Sequence, residues 1–254
     1  MAGVLTTSQI EQFAQQGYLI VRGMAGPDAC ATMRAIAGEH LRDAVAPLEY
    51  EAQVGYAGAP ASLDAPGGRT ARRLRNAWQR HACFRAWGED AALVGTVRQL
   101  LGEAPCLTLA HHNCVMTKHP HFGTATGWHR DIRYWSFARS ELISVWLALG
   151  PEQASNGGLK FIPGSHRLQI GREQLDDLDF LRPELAQNQA LFAQHVAPAL
   201  QAGDVVFFHS GLFHAAGRNN SDAVKLSLVF AYRGVSNPAQ AGSRSAAAGE
   251  ICFD

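Results

Sequence analysis

The sequence predicts a mainly β protein with flanking helices, in which short strands form a barrel or jelly roll. Two features carry this prediction. Beyond about residue 105, apolar runs alternate with glycine-rich turns, which is typical of antiparallel β architectures. Before that point, apolar residues recur at helical spacing between capping residues. The length of 254 residues and a charged content of 17% are typical of one large soluble domain.

Capping patterns predict three helices in the first part of the chain, starting at Ser8, Pro27 and Asp90. The first has Ser8 and Glu11 as a capping box and ends at Gly17, and the third ends at Gly102. Residues 56–70 are rich in Gly, Pro and Ala and have no periodic pattern. We therefore expect a loop there, long enough to act as a lid or a binding loop.

Six apolar runs predict strands, at residues 18–22, 106–118, 142–150, 158–166, 204–209 and 225–233. A polar, partly helical insertion is expected over residues 168–195. The last stretch, residues 236–254, has no core pattern and is predicted to be a flexible tail. Residues 1–235 are therefore expected to form a single domain, helix-rich to about residue 105 and β-rich after it.

Charge and composition exclude several classes of function. Lys and Arg together number 22, as do Asp and Glu, so no net field attracts nucleic acid or an anionic membrane. No apolar run reaches membrane-spanning length, and the N-terminal residues lack the pattern of a signal peptide. The five cysteines are scattered and form no CxxC motif. We therefore expect reduced thiols in a cytoplasmic protein rather than a disulfide framework or a zinc site.

The most informative motif is the run GWHRDIRYW at residues 127–135, which holds His129 and Asp131 one residue apart. On a strand, positions i and i+2 point to the same face, so both side chains could reach one metal ion. His214, in the segment GDVVFFHSGLFHAAGRNNSD, offers a second imidazole. Two His and one carboxylate are the ligands of non-heme Fe(II) oxygenases. His209 competes with His214 for this role.

Other polar residues allow both structural and functional interpretations. The histidines at positions 111, 112, 119 and 121 are more typical of a surface or a pocket wall than of a second metal site. The arginines at positions 69, 72, 73, 75 and 80 form either a solvated helix face or a site for a carboxylate or phosphate of the substrate. Arg130 and Trp135 flank the metal motif, where they could belong to the core or line a pocket.

Three blocks of sequence resemble the phytanoyl-CoA dioxygenase family of Fe(II)- and 2-oxoglutarate-dependent oxygenases. They are TKHP followed by GWHRD, then NGGLKFIPGSH, then GDVVFFHSGLFHAAGRNNSDAVK. The N-terminal run SQIEQFAQQGYLIVRG is also similar, so the resemblance covers about residues 8–233. It implies a double-stranded β-helix core, a cupin-like jelly roll faced by the N-terminal helices.

The resemblance also implies roles for individual residues. His129, Asp131 and His214 match the metal ligands, which are also the catalytic centre. Lys225, eleven residues after His214, stands where the family usually has an Arg that binds the distal carboxylate of 2-oxoglutarate. Ala216 replaces a small hydroxyl residue that often assists. Further matches to the co-substrate pocket are Lys118, Trp146 and, on the same strand face as Lys118, Cys114.

We therefore expect a hydroxylase that uses Fe(II), 2-oxoglutarate and O2, with ascorbate as an activator in vitro. Its substrate is expected to be small and anionic, with Arg72, Arg73, Arg130 and Trp135 as candidate contacts. Two alternatives stay open. Lys225 and Ala216 would suit a metal-dependent cupin oxygenase that does not use 2-oxoglutarate. A non-catalytic binding module of the same fold is the other, although such a module has no need of three metal ligands.

Overall fold

An eight-stranded and a three-stranded antiparallel sheet form the core of the computed structural model, which describes residues 5–254. Residues 1–4, part of the stretch expected to lack a signal peptide, lie outside the described residues. None of the helices in the described part of the chain is long and apolar enough to cross a membrane.

The helices and strands have the following bounds. The helices are α1 (Thr7–Gln16), α2 (Pro27–Arg42), α3 (Ala77–Arg80), α4 (Ala82–Gly88), α5 (Ala91–Leu101), α6 (Ala186–Phe192) and α7 (Arg244–Ala248). The strands are β1 (Tyr18–Val21), β2 (Leu48–Tyr50), β3 (Ala71–Arg75), β4 (Pro105–Lys118), β5 (Thr126–His129), β6 (Leu142–Ala148), β7 (Leu159–Phe161), β8 (Val205–His209), β9 (His214–Ala216), β10 (Lys225–Gly234) and β11 (Glu250–Cys252).

The strand order places the two sheets as the predicted jelly roll requires. The large sheet runs β1-β8-β6-β10-β4-β3-β2, with β11 added beside β4, and the small sheet runs β5-β9-β7. All seven residues of β6 are buried, because this central strand is covered on both faces. Val145 on its outer face packs with the helices, and Trp146 on its inner face packs with Phe161 of the small sheet.

The N-terminal helix has its N-cap two residues before the predicted one. Thr6 is the N-cap and accepts a hydrogen bond from the Gln9 amide, while the Gln9 side chain accepts one from the Thr6 amide. The predicted box of Ser8 and Glu11 is therefore wrong, because Thr6 with Gln9 has the same spacing. Gly17 ends the helix as predicted, with φ of 78° and His166 against the place where a Cβ would lie.

The C-terminal segment is not the flexible tail that its sequence predicts. Residues 244–248 form α7, and β11 pairs with β4. Ile251 and Phe253 pack against the core between the large sheet and the helices. Two apolar residues in a short segment do not form a periodic pattern, and the residues that they contact are distant in sequence. The sequence therefore does not reveal this packing.

A disulfide joins Cys106 of β4 to Cys252 of β11, 146 residues apart. The expectation that all five cysteines are reduced is therefore wrong for this pair. Strand pairing places the two residues opposite each other, which their spacing in sequence could not show. Cys30, Cys83 and Cys114 are free thiols.

The basic run at residues 69–75 is largely a strand rather than a helix face. Arg72 and Arg73 lie on β3, point to opposite faces of the sheet and are both buried. Each pairs with a glutamate. Arg72 Nη1 lies 2.9 Å from Glu51 Oε2, and Arg73 Nη1 lies 2.5 Å from Glu49 Oε1.

Candidate metal centre and its surroundings

His129, Asp131 and His214 meet at one end of the space between the two sheets. His129 ends β5 and stands opposite His214, the first residue of β9. The Nε2 atoms of the two histidines lie 3.7 Å and 3.3 Å from Asp131 Oδ1. All three side chains are buried.

The route by which Asp131 reaches this place differs from the prediction. The sequence predicts that His129 and Asp131 share one strand, but β5 ends at His129. Asp131 opens a 3-10 turn, Asp131–Tyr134, that follows directly. The turn, rather than strand alternation, brings the carboxylate back beside the imidazoles.

Hydrogen bonds to other groups orient all three candidate ligands. His129 Nδ1 donates to Gly127 O at 2.9 Å, and His214 Nδ1 donates to Leu212 O at 3.0 Å. The Nε2 lone pairs are therefore free for a metal, as in most metal-binding histidines. Ser144 Oγ donates to Asp131 Oδ2 at 2.9 Å and fixes the carboxylate. Sequence reasoning missed Ser144, because a buried serine on a strand gives no signal of its partner.

Asp131 shows that this end of the core suits a cation. Its carboxylate is fully buried, and its Oδ1 accepts no hydrogen bond from the described residues. Such a group is unfavourable unless a positive charge compensates it. One carboxylate oxygen and two imidazole nitrogens within 4.8 Å of one another form the ligand set that Fe(II) takes in oxygenases. The residues present therefore fit the metal that the sequence predicts.

The protonation states also suit metal binding. Burial alone would raise the pKa of Asp131, but His112 and His214 hold the pKa well below its usual range, so the carboxylate is ionised. Burial and the neighbouring His214 lower the pKa of His129, so its imidazole is neutral. Burial opposes a rise in the pKa of His214, but the charge of Asp131 outweighs it. A divalent cation would replace the proton that Asp131 attracts to this histidine.

An irregularity in β4 carries two of the remaining histidines to this site. Its register with β10 shifts between Asn113 and Thr108, and His111 has a φ of 51°. The bulge turns His112 Nδ1 to within 3.4 Å of Asp131 Oδ2. His111 stacks on Tyr134, with ring centroids 3.7 Å apart. His111 and His112 form a wall of the site. The sequence predicted only that they lie either at the surface or in a pocket wall.

Lys225 and Trp146, both predicted in the co-substrate pocket, bind the same buried carboxylate. Lys225 Nζ lies 3.0 Å from Glu152 Oε2, and Trp146 Nε1 donates to Glu152 Oε1 at 2.9 Å. Ser227 donates to Oε1 at 2.6 Å. Lys118 stands opposite Lys225 across the β4–β10 pair, and its ammonium donates to Thr124 O at 2.7 Å. Neither Glu152 nor Ser227 was predicted from the sequence.

Cys114 lies on the inner face of β4, opposite Val229 of β10. Its thiol is 3.7 Å from Met116 Sδ, and burial raises its pKa to about 12. The thiol is therefore neutral and contributes an apolar wall. Its predicted role in binding the co-substrate stays a prediction.

A cavity of about 710 Å³ adjoins the metal centre. Tyr134, which lines the cavity, has its ring 6.2 Å from that of His129. Tyr56, at the start of the predicted loop, also lines it and hydrogen-bonds the Tyr134 hydroxyl at 3.0 Å. Four arginines line this cavity: Arg73, Arg75, Arg133 and Arg244. Glu49 is the one acidic residue among the lining residues described by the structure.

Three of the predicted substrate contacts lie elsewhere. Arg72 is held by Glu51 and by Thr126 Oγ1, and Arg130 donates to the Ser165 and Leu168 carbonyls. Trp135 is buried with its indole donating to Ala110 O at 3.2 Å. None of the three is among the cavity's lining residues. The cavity arginines that sequence reasoning missed come from segments far apart in the chain.

The sequence of this protein matches a known protein family. The model of the family described as "Phytanoyl-CoA dioxygenase (PhyH)" matches residues 13–227. The chain belongs to the phytanoyl-CoA dioxygenase family. The family predicted from the sequence is therefore confirmed, and the enzyme class that it implies, a dioxygenase, is that of the family.

Two known proteins are similar to this chain over most of its length. Phytanoyl-CoA dioxygenase domain-containing protein 1 of Rattus norvegicus is 23% identical, over 89% of this chain and 89% of its own. Ectoine dioxygenase of Sphingopyxis alaskensis is 27% identical, over 92% of this chain and 77% of its own.

Solved structures share the fold. Crystal structures of EctD from S. alaskensis are 22% identical and cover 93% of this chain. The structure with bound Fe has a TM-score of 0.77 and is covered over 79% of its length. The structure with 2-oxoglutarate and 5-hydroxyectoine has a TM-score of 0.74 and is covered over 78%. The predicted jelly-roll fold with flanking helices is confirmed.

Proposed function

We propose that this protein is an Fe(II)- and 2-oxoglutarate-dependent dioxygenase that hydroxylates a small anionic substrate. The observation that carries the proposal is the buried set of His129, Asp131 and His214, with both Nε2 atoms directed at an otherwise unbound carboxylate oxygen. Structures related in fold bind Fe and 2-oxoglutarate, which agrees with these cofactors. With both bound, the site would couple the oxidation of 2-oxoglutarate by O2, to succinate and CO2, to hydroxylation of a C–H bond.

The protein's own residues would orient the reactants. Gly127 O, Leu212 O and Ser144 hold the three ligands in place, so that metal binding requires little rearrangement. The stacked rings of His111 and Tyr134 stand between the metal centre and the cavity. A substrate in the cavity would therefore approach the metal along this aromatic wall, which limits the C–H bonds that can come within reach.

Charge in the cavity supports an anionic substrate. Arg73 is already paired with Glu49, whereas Arg133 Nη1 is buried and has no hydrogen-bond partner among the described residues. Arg133 Cζ lies 4.6 Å from the ring centroid of Phe180, so its other face is apolar. A carboxylate or phosphate is the ligand that such a guanidinium lacks. The matching of charge leads us to propose Arg133, Arg75 and Arg244 as the substrate contacts.

Succinate production tests the proposal directly. The protein would be incubated with Fe(II), ascorbate and 2-oxoglutarate, with pairs of small carboxylates or phosphates and their neutral amide or alcohol counterparts. We expect substrate-dependent succinate with one or more of the anions and much less with the matched neutral compounds. Oxygen consumption without succinate would favour the alternative of an oxygenase that does not use 2-oxoglutarate. The absence of both reactions would favour the binding module.

The metal ligands have a separate test that needs no substrate. His129→Ala, Asp131→Ala and His214→Ala should each weaken Fe(II) binding by about a hundredfold or more, since loss of even an outer hydrogen-bond partner of a metal ligand costs tenfold to a hundredfold. Anaerobic calorimetry measures the affinity. His209→Ala serves as the control and should retain the wild-type affinity. Wild-type iron binding by any of the three variants would contradict the assignment of that ligand.

A further inference from the structure

The carboxylate of Glu152 occupies a site built for a carboxylate. It is fully buried, and three side chains of different chemistry converge on it. The Lys225 ammonium lies 3.0 Å from Oε2, while the Ser227 hydroxyl and the Trp146 indole donate to Oε1 at 2.6 Å and 2.9 Å. An ammonium and two neutral donors are sufficient to bind one carboxylate away from water.

This carboxylate site and the metal centre lie on the same inner face of the large sheet. Ser144 and Trp146 are two residues apart on β6, so both side chains point to the inner face. Ser144 contacts Asp131 of the metal centre, and Trp146 contacts Glu152. Two residues of a strand span about 6.6 Å. That is similar to the roughly 5 Å between the terminal carbons of an extended five-carbon dicarboxylate, as bond lengths give it.

A second lysine, Lys118, lies near Lys225 but has no carboxylate partner among the described residues. Lys118 faces Lys225 across the strand pair, and its ammonium donates to the Thr124 carbonyl rather than to a carboxylate. Burial, with Arg72 and Lys225 nearby, lowers the pKa of Lys118. Lys118 therefore needs no carboxylate partner, whereas Lys225 is paired with Glu152. Without this glutamate the Lys225 ammonium would be left buried without a carboxylate, so the site would attract an anion.

We propose that Glu152 sets the affinity for 2-oxoglutarate, because its side chain fills the subsite for the distal carboxylate and must leave when the co-substrate binds. The proposal rests on the proposed function, in which 2-oxoglutarate is the co-substrate. Glu152 is thus a specificity-determining residue that competes with the ligand. Two carboxylates cannot share one ammonium, one hydroxyl and one indole without strong repulsion.

Only the side chain of Glu152 can move to make room for 2-oxoglutarate, because its backbone is held by two hydrogen bonds. Its amide donates to Leu200 O at 2.9 Å, and its carbonyl accepts from the Leu200 amide at 2.8 Å. The main chain is therefore fixed, and the carboxylate leaves by rotation about the side-chain bonds. Because that rotation gives up three hydrogen bonds, part of the binding free energy of 2-oxoglutarate is used to displace Glu152.

Binding of 2-oxoglutarate to the Fe(II)-loaded protein, measured by anaerobic calorimetry, tests the proposal without turnover. Glu152→Ala should lower the Kd for 2-oxoglutarate by tenfold or more. 2-Oxopentanoate, which has a methyl group in place of the distal carboxylate, should gain much less. If Glu152 instead positions Lys225 for the ligand, the same substitution would leave the Kd unchanged or raise it, which would overturn the proposal.

Two further variants separate competition from damage to the fold. Glu152→Gln removes the charge at almost constant shape and should also lower the Kd. Glu152→Ala combined with Lys225→Met removes both charges and should lose the gain, because the gain depends on the freed ammonium. Glu39→Ala, on the exposed face of α2, is the matched control and should leave the Kd unchanged.

The outcomes also distinguish this proposal from the proposed function. Tighter binding in Glu152→Ala and Glu152→Gln, including binding that is detectable only in these variants, supports the competition. Wild-type binding that does not tighten in either variant rejects the competition and leaves the proposed function in place. If the Fe(II)-loaded wild type and all variants fail to bind 2-oxoglutarate, both are rejected.

Discussion

His209 lies five residues before His214 in the sequence but has a different environment. Its ring packs against His166, with centroids 5.2 Å apart, and its Nδ1 accepts a hydrogen bond from the Gly211 amide at 2.9 Å. Burial, the neighbouring His166 and Arg130 lower its pKa to about 4, although Glu141 opposes them. A histidine that accepts from a backbone amide is held neutral, which makes it a structural group.

His209 should make the fold sensitive to acid. Its pKa is lower in the folded than in the unfolded chain, so the unfolded state binds the proton first as the pH falls. The stability is therefore fully present above the unfolded pKa of about 6.5 and is lost as the pH falls toward the folded pKa of about 4. We expect a loss on the order of 1–2 kcal/mol between about pH 8 and about pH 5 from this residue.

Urea unfolding of the wild type and of His209→Asn, at several pH values, measures this contribution. The Asn side chain offers an oxygen to the Gly211 amide and does not titrate. The free energy of unfolding should therefore fall less steeply with acid in the variant. Parallel pH profiles would show that His209 does not contribute, and that other histidines cause any acid sensitivity.

At the scale of elements, the irregularity in β4 does what a regular strand could not. A strand in perfect register would place His111 and His112 on opposite faces. The bulge directs His112 toward Asp131 and places His111 on Tyr134. The stacked rings of His111 and Tyr134 form the aromatic wall between the metal centre and the cavity. The alternation of apolar residues predicts β4 itself, but nothing local in the sequence marks where its register shifts.

The C-terminal strand β11 should contribute to stability even though its sequence has no core pattern. Deletion of residues 250–254 removes the apolar contacts of Ile251 and Phe253 and the ion pair between Glu250 and Arg233. Since both apolar side chains are only partly buried, we expect a loss of about 2–3 kcal/mol in the free energy of unfolding.

Denaturant unfolding of the shortened chain measures this loss under reducing conditions, in which the Cys106–Cys252 bond does not contribute to either protein. Ile251→Ser with Phe253→Ser keeps the chain length and should reproduce most of the effect. If both variants unfold at the wild-type denaturant concentration, the segment is attached to the sheet without stabilising it.

At the scale of the whole molecule, the arginine-lined cavity is assembled from parts that are distant in sequence. Arg75 comes from β3, Arg133 from the turn after β5, and Arg244 from α7. The sequence drew attention to the run at residues 69–75 because its charges are adjacent. Only Arg73 and Arg75 of that run reach the cavity, because alternate residues of β3 face opposite ways.

Removing these charges should weaken substrate binding selectively. Arg75→Gln and Arg244→Gln should each raise the KM for the anionic substrate found by the succinate screen by about tenfold, the scale of one charged hydrogen bond. The Kd for 2-oxoglutarate should not change, since both residues lie outside the co-substrate pocket. Arg69→Gln, which removes an exposed arginine paired with Asp64, is the matched control. Equal KM values in all three variants would place the substrate elsewhere.

The sequence by itself determined the family, the jelly-roll fold and the identity of the residues that meet at the candidate metal centre. It could do so because short blocks such as GWHRD and GLFHAAG hold the ligands and resemble the corresponding blocks of the family. Six of the eleven described strands could be predicted because alternation and apolar runs are local signals, whereas the short strands β2, β3, β5, β9 and β11 lack such a run.

Only the tertiary structure decided what each charged residue contacts. Glu152 lies against Lys225, 73 residues away, and Arg244 and its neighbours in α7 line a cavity with residues from between positions 49 and 134. Likewise, β11 joins the sheet across 146 residues. Pairing of this kind is set by strand register and by the close packing of the two sheets, which no stretch of sequence contains on its own. The sequence therefore determined the chemistry available to this protein, and the packing of distant segments decided which groups face the metal, the co-substrate and the cavity.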